Sequence, residues 1–232
     1  MIVDDKELIN TLKRASAHVY ANHITSTELK RWGKTIVCIA GPSGVGKHTL
    51  CHALIKQHPQ LFFLVGPTTT RKCTIKDIKE NRYKFVSKNE FKRLEQARSF
   101  IYIHKTIHGF YGTDISSIRS AIKNDKIVLL VFRSFGAVAL KCVIPCMLVI
   151  SLKADKDVLL KRLLQRGRDK RGDIIKRLKQ ADIEIGINEK MVSYWKNKER
   201  GWFIIDNTLE SSPIADVVVK ESWSFIKNHL GR

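Results

Sequence analysis

With 232 residues, 44% of them apolar, the chain has material for one α/β domain with a full core, or for such a core with a small insertion, and too little for two independent domains. No stretch approaches the roughly 20 uninterrupted apolar residues of a membrane helix, and residues 1–5 lack the basic-then-apolar order of a signal peptide. Against 22 Asp and Glu stand 42 Lys and Arg, a formal charge of +20, so anionic partners are expected; the basic residues are dispersed without interleaved aromatics, which puts small phosphorylated ligands ahead of nucleic acid. Among the five cysteines, Cys38, Cys51, Cys142 and Cys146 fall in or beside apolar runs, where cysteine acts as a small hydrophobe. A reducing, cytoplasmic setting is expected. No second Cys or His pair stands near Cys142 and Cys146 to complete a zinc set.

In chain order, Leu8, Ile9, Leu12, Ala15 and Val19 share one helical stripe and predict a helix over 4–22, part of a helical extension covering 1–34. Residues 35–40 are a short β-branched apolar run, as in a strand buried on both faces. Gly41, Pro42, Ser43, Gly44, Val45, Gly46 and Lys47 follow, and then His48, Thr49 and a helix marked by Leu50, Ala53 and Leu54. Strand, glycine-rich turn and helix in that order build a phosphate cradle, the Walker A loop G-x-x-x-x-G-K. Backbone N–H groups turn inward on one anion, the helix N-terminus adds partial positive charge, and Lys47, expected as an exposed loop lysine, reaches the β- and γ-phosphates. The hydroxyl that normally follows the lysine and holds Mg²⁺ is replaced by His48, leaving that contact to water or Thr49.

A second strand is predicted over 61–65, followed by a polar, basic segment from Gly66. Residues 83–86 alternate, and Ser87 with Glu90 forms a capping box ahead of a helix bearing Phe91, Leu94 and Ala97. Alternation returns over 100–107 and ends in a turn over 109–113 that feeds a helix over 114–124. Small strands inserted between buried parallel strands suggest a mobile lobe, residues 66–115, that holds a second substrate. The core resumes with a buried strand over 126–132, a helix near 137–142 and a strand over 146–151. Strands alternating with helices argue a parallel sheet flanked by helices. Arg162, Arg166, Arg168, Arg171 and Arg177 then crowd one segment, with Gly167 and Gly172 breaking its helix, before a last strand over 202–205 and a closing helix over 213–230.

These segments together resemble the guanylate kinase family over about residues 35–230. The loop matches the family's Gly-Pro-Ser-Gly-x-Gly-Lys; Thr69, Thr70 and Arg71 match its acceptor-phosphate segment; Tyr83 to Ser87 is similar to its Tyr-x-Phe-Val-Ser; and Phe110, Tyr111, Gly112 and Thr113 are similar to its Tyr-Tyr-Gly-Ser/Thr. Lys161 to Gly167, with Arg177 and Leu178, resembles the lid, residues 162–178. The resemblance implies an α/β P-loop kinase fold and transfer of the γ-phosphoryl group of ATP, with Mg²⁺, to a phosphorylated acceptor, GMP or a related phosphate ester. It implies that Arg71, Tyr83 and Tyr111 hold the acceptor phosphate, that Thr113 contacts the acceptor base, and that Lys47, Arg162, Arg166 and Arg177 act on the transferring group. Planar guanidinium forks neutralise and align the charge that develops on the γ-phosphate oxygens.

The sequence also departs from the family. A second acceptor arginine, usual three residues after the first, is Thr74, and the two carboxylates that recognise guanine align with Tyr102 and Arg133. Guanine presents donors at N1 and its 2-amino group, so a guanidinium there sets donor against donor. In lacking those carboxylates and a hydroxyl after the Walker lysine, the chain is similar to ribose 1,5-bisphosphate kinases, and a non-catalytic binding module on the same fold is the alternative to an enzyme.

Overall fold

The computed structural model describes residues 19–75, 77, 83–106, 108–167, 171–195, 201–208, 214 and 216–231. Its centre is a five-stranded, wholly parallel sheet in the order β2-β7-β1-β8-β9, built from Phe62–Leu64 (β2), Ile127–Val131 (β7), Ile36–Ala40 (β1), Leu148–Lys153 (β8) and Trp202–Asp206 (β9). Alternation along β1 explains the two layers of core. Ile36, Cys38 and Ala40 point to one face, against helices α1 (Ser26–Gly33), α4 (Ile115–Lys123) and α5 (Ser134–Val143). Val37 and Ile39 point to the other, against α2 (Lys47–Gln57), α6 (Lys156–Gln165) and α8 (Asp216–Leu230). Every residue of β1 is fully buried, which is why its sequence reads as an unbroken apolar run.

The longest helix, α7 (Arg171–Trp195), belongs to both layers. Its first turns place Ile174, Leu178 and Ala181 in one core, and its last turns place Met191 and Trp195 in the other. Passing from one face to the other, it lies across the carboxyl ends of the strands, where ligands bind in parallel α/β sheets.

A second, four-stranded sheet, β4-β3-β6-β5, is formed by Lys84–Phe85 (β4), Thr68–Thr69 (β3), Gly109–Asp114 (β6) and Phe100–Thr106 (β5). Helix α3 (Lys88–Gln96), capped by the Ser87 hydroxyl accepting from Glu90 N at 3.1 Å, lays Phe91 on Phe100 with ring centroids 4.8 Å apart. Ile103 completes this satellite core. The opposite face carries Tyr102, His104 and Tyr111.

Several expectations are corrected. The 109–113 segment is not a turn but the strand β6, paired with both β5 and β3; Gly112 fits there because the Phe100 ring lies where a Cβ would stand, 2.6 Å away. Gly172 does not break a helix; it sits one residue inside α7, and the positive φ of +65° falls on Gly167 instead. Helix α5 starts at Ser134, three residues earlier than expected. Val19 is not helical: it bridges Tyr102, and Tyr20 N donates to Ile101 O at 2.8 Å. Residues 1–18, the bulk of that predicted helix, lie outside the described residues, as do Arg168 and Pro213. Cys38 and Cys51 are buried among apolar side chains, whereas Cys142 is exposed. Among the described residues no helix is long and apolar enough to cross a membrane.

Candidate active site

The loop from Gly41 to Gly46 leaves the carboxyl end of β1 and enters α2. At Gly46, φ is +101° and a Cβ would come within 2.8 Å of Asn207 Nδ2, so backbone conformation and space both exclude a side chain. Gly41, at φ +131°, has Leu152 O at 2.4 Å from the same hypothetical atom. The loop is therefore wedged between β8 and the residue after β9. Asn207, fully buried, donates from Nδ2 to Val45 O at 2.9 Å and fixes the loop from behind. Pro42, Val45 and the glycines are buried or nearly so, while Ser43, His48 and Thr49 remain partly accessible at the mouth.

Lys47 is not the free, exposed lysine that its loop position suggests. Its Nζ donates to Gly41 O and Pro42 O, both at 2.7 Å, so the ammonium end is enclosed by the loop although the side chain as a whole is only partly buried. Burial pulls its pKa down to about 8; the Glu184 carboxylate opposes the shift, and Arg133 and Arg166 add to it. The ammonium, two guanidiniums and one carboxylate therefore share one electrostatic environment.

The arginine-rich segment reaches the loop. From the second turn of α7, Arg177 Nη1 donates to Ser43 Oγ at 3.1 Å, across 134 residues of chain. Arg166 caps the C-terminus of α6 and is exposed; Arg162, one turn earlier, is partly buried, and desolvation lowers its pKa.

On the small sheet, Arg71, Tyr83 and Tyr111 come together. The Arg71 guanidinium stands 4.6 Å above the Tyr83 ring and 5.4 Å from that of Phe85, and the Tyr83 and Tyr111 centroids lie 6.2 Å apart. Asp77 holds it through two hydrogen bonds, Nη2 to Oδ1 at 2.6 Å and Nη1 to Oδ2 at 2.8 Å, and this pairing lowers the Asp77 pKa well below the carboxylate range and raises that of Arg71. Thr74 donates to the same carboxylate from its backbone N at 2.9 Å and its hydroxyl at 2.5 Å. His104 stacks on Tyr111, 5.0 Å between centroids and 11° between planes.

Tyr102 and Thr113 face one another across β5 and β6, both buried. Burial pushes the Tyr102 hydroxyl up to about 12, and its ring meets Phe132 edge-on at 5.2 Å. The hydroxyl also lies 3.2 Å from where a Cβ on Gly136 would stand, which brings it to the first turn of α5. Arg133 is the N-cap residue of that helix. It does not hang free into a pocket: Nε donates to Glu184 Oε1 at 2.6 Å, Nη2 also meets Oε1, and Glu184 Oε2 accepts from Ser134 N at 3.4 Å.

Three residues of this arrangement escape a motif search: Asp77, Glu184 and Asn207. Asn207 directly follows the last apolar strand, and Glu184 lies seven residues after Arg177 on one helix, signals that exist but that spacing alone does not single out.

The comparison with known families agrees. The guanylate kinase family model matches residues 33–194. The chain belongs to the guanylate kinase family. It is 33% identical over 165 residues to a guanylate kinase of Trichormus variabilis, covering 71% of this chain and 82% of that one. To a guanylate kinase of Clostridium acetobutylicum it is 30% identical over 189 residues, 80% and 85% of the two chains. A crystal structure of guanylate kinase from Anaplasma phagocytophilum shares the fold with a TM-score of 0.56, at 19% identity over 84% of this chain and 86% of that one. Membership of the guanylate kinase family makes the chain a phosphotransferase of the nucleoside monophosphate kinase type, with ATP as donor.

Proposed function

We infer that the protein transfers the γ-phosphoryl group of ATP to a nucleoside monophosphate through the residues gathered at the loop and the small sheet, and that its acceptor pocket is not tuned to guanine. The contact of Arg177 with Ser43 carries the first half of this reading. It supports residues 162–178 as a lid, because a guanidinium donated from the lid helix to the phosphate loop is within reach of a γ-phosphate held there. Lys47 and the backbone N–H groups of residues 43–47 bind the donor phosphates, and Arg162 and Arg166 join Arg177 over the transferring group. Arg71, Tyr83 and Tyr111 hold the acceptor phosphate within the lobe 66–115, with Thr113, Tyr102 and Arg133 at the base end. The attacking atom is already a phosphate oxygen, so positioning and charge neutralisation suffice and no general base is needed.

Magnesium fits this site through the nucleotide. Hard oxygen ligands suit it and it keeps several waters, while the end of β7 offers Val131, Phe132 and Arg133 with no carboxylate, and an imidazole follows Lys47. When bound, it neutralises charge on the β- and γ-phosphates. The free, buried thiols of Cys38 and Cys51 agree with a reducing, cytoplasmic setting.

For the second half of the reading, the supporting observation is the pairing of Arg133 with a fully buried carboxylate that no base can reach. GMP, the acceptor implied by the relatives' names, therefore finds neither of the two carboxylates that would match its donors. Acceptor-dependent ADP release tests the whole: turnover with at least one nucleoside monophosphate, and poor efficiency with GMP, are expected, and no ADP release with any phosphorylated acceptor contradicts the reading.

A further inference from the structure

Glu184 has no solvent exposure, while the guanidinium paired with it belongs to a side chain 49% exposed. A buried carboxylate is stable only when paired and hydrogen-bonded, and here its partners are Arg133 and the first backbone N–H of α5. The arrangement is asymmetric. Glu184 is held by α7, which is buried on both sides of it at Ala181 and Asn188, and it grips the Nε and Nη2 side of the guanidinium, so the exposed part of Arg133 faces away from it. Arg133 stands at the carboxyl end of β7, next to the turn where the Tyr102 hydroxyl approaches Gly136. An unheld arginine at this position turns into water when a ligand presents the wrong groups. A clamped one cannot.

We propose that Glu184 is a specificity-determining positioning residue: by clamping Arg133 at the N-terminus of α5 it fixes hydrogen-bond donors at the base end of the acceptor pocket and so selects against purine monophosphates that present an amino group there. The favoured acceptors are monophosphates whose base offers carbonyl oxygens or ring nitrogens to the guanidinium. Repulsion, in this account, is built by holding one side chain still, and discrimination arises from a donor left without an acceptor. This rests on the reading of Tyr102, Thr113 and Arg133 as the base end of the pocket.

GMP and IMP differ only in the 2-amino group and are the probes. Titration calorimetry of each nucleotide on the full chain should give IMP binding about tenfold tighter than GMP, the scale of one unmatched donor. In Glu184→Met, which removes the acceptor while keeping an unbranched side chain, the guanidinium is released and the ratio should fall below about twofold. Arg133→Lys, which keeps a cation against the buried carboxylate but loses the planar fork of donors, should do the same and guards against a folding failure of the first variant. A non-hydrolysable ATP analogue is titrated in parallel, and a variant that loses its affinity as much as it loses that for the monophosphates marks general damage. The proposal is overturned by general damage in both variants, by a wild type that binds neither probe or prefers GMP, or by a ratio that survives in either variant. ADP release measured on the same samples judges the kinase reading separately, since the ratio is a binding quantity: a preference for IMP without turnover removes that reading and leaves the role of Glu184 standing.

Discussion

The phosphate loop and the face of the small sheet proposed to hold the acceptor are built in opposite ways. The loop is made of backbone: glycines at positive φ, carbonyls meeting Lys47, and a buried asparagine bracing Val45. The acceptor face is made of side chains from scattered elements: Arg71 after β3, Tyr83 before β4, Tyr111 on β6, Tyr102 on β5 and Arg133 ahead of α5. Backbone geometry tolerates almost no substitution, because a Cβ at Gly41 or Gly46 meets an atom closer than 3 Å. A face assembled from side chains can change what it binds with one or two replacements, and the proposed reading places such changes at Tyr102, Arg133 and Thr74. On the function proposed above, the donor half of the reaction rests on backbone that cannot change and the acceptor half on side chains that can.

The largest effect expected is on the donor side. Lys47→Ala should lower phosphoryl transfer more than a hundredfold, the scale of removing one preorganised charge contact at the transferring group. Because Lys47 ties two loop carbonyls, a modest fall in melting temperature should accompany it; undiminished turnover would break the assignment of the loop. Next in size, Arg166→Ala or Arg177→Ala should reduce kcat roughly tenfold or more while changing the KM for ATP less, since these groups meet the phosphoryl group chiefly on closure. Steady-state kinetics in which both variants alter only KM would turn the lid into a mere binding surface.

Smaller changes sharpen the acceptor side. Asp77→Asn should raise the KM for the acceptor several-fold, leave that for ATP unchanged, and cost about 2 kcal/mol of stability, as for a lost charge-assisted hydrogen bond. Since pairing lowers the Asp77 pKa, this contribution is fully present above the ordinary carboxylate range and fades as the pH falls through the lower, folded value. Melting curves of wild type and variant should therefore converge in strong acid. The mildest effect is the pH dependence of ATP affinity. A phosphate binds the protonated lysine, and the free-state pKa of Lys47 is lowered to about 8, so affinity should be flat below that pH and decline above it. In Lys47→Arg the decline should vanish; a wild-type profile flat to pH 10 would show an ordinary lysine.

Much of the fold is legible in the sequence because its signals are local. The run from Ile36 to Ala40 announces a buried strand, Ser87 with Glu90 announces α3, and Asp114, whose side chain accepts from Ser117 N at 3.1 Å, announces α4. What fails is where tertiary contacts override local preference. Gly109 to Thr113 looks like a turn, yet β5 and β3 flank it on both sides and recruit it as a strand. Gly172 looks like a helix breaker, yet it is the second residue of α7, where glycine costs less than it would in a helix interior. The loop residues are legible as a motif. The Arg71–Asp77 and Arg133–Glu184 pairs are not, because the partners lie 6 and 51 residues apart and nothing in composition joins them.

The central claim is that the donor machinery is intact and the acceptor pocket is no longer shaped for guanine. Its most direct test is kcat/KM for GMP, other nucleoside monophosphates and ribose 1,5-bisphosphate, measured on the wild type and on Arg133→Asp combined with Tyr102→Glu. Two missing charge-assisted hydrogen bonds correspond to about 3 kcal/mol, roughly a hundredfold. The account predicts that another nucleoside monophosphate outperforms GMP on the wild type and that the double substitution raises GMP efficiency by a factor of that order. A wild type that uses GMP best, with an efficiency near 10⁶ M⁻¹s⁻¹ in the ordinary enzyme range, would contradict it.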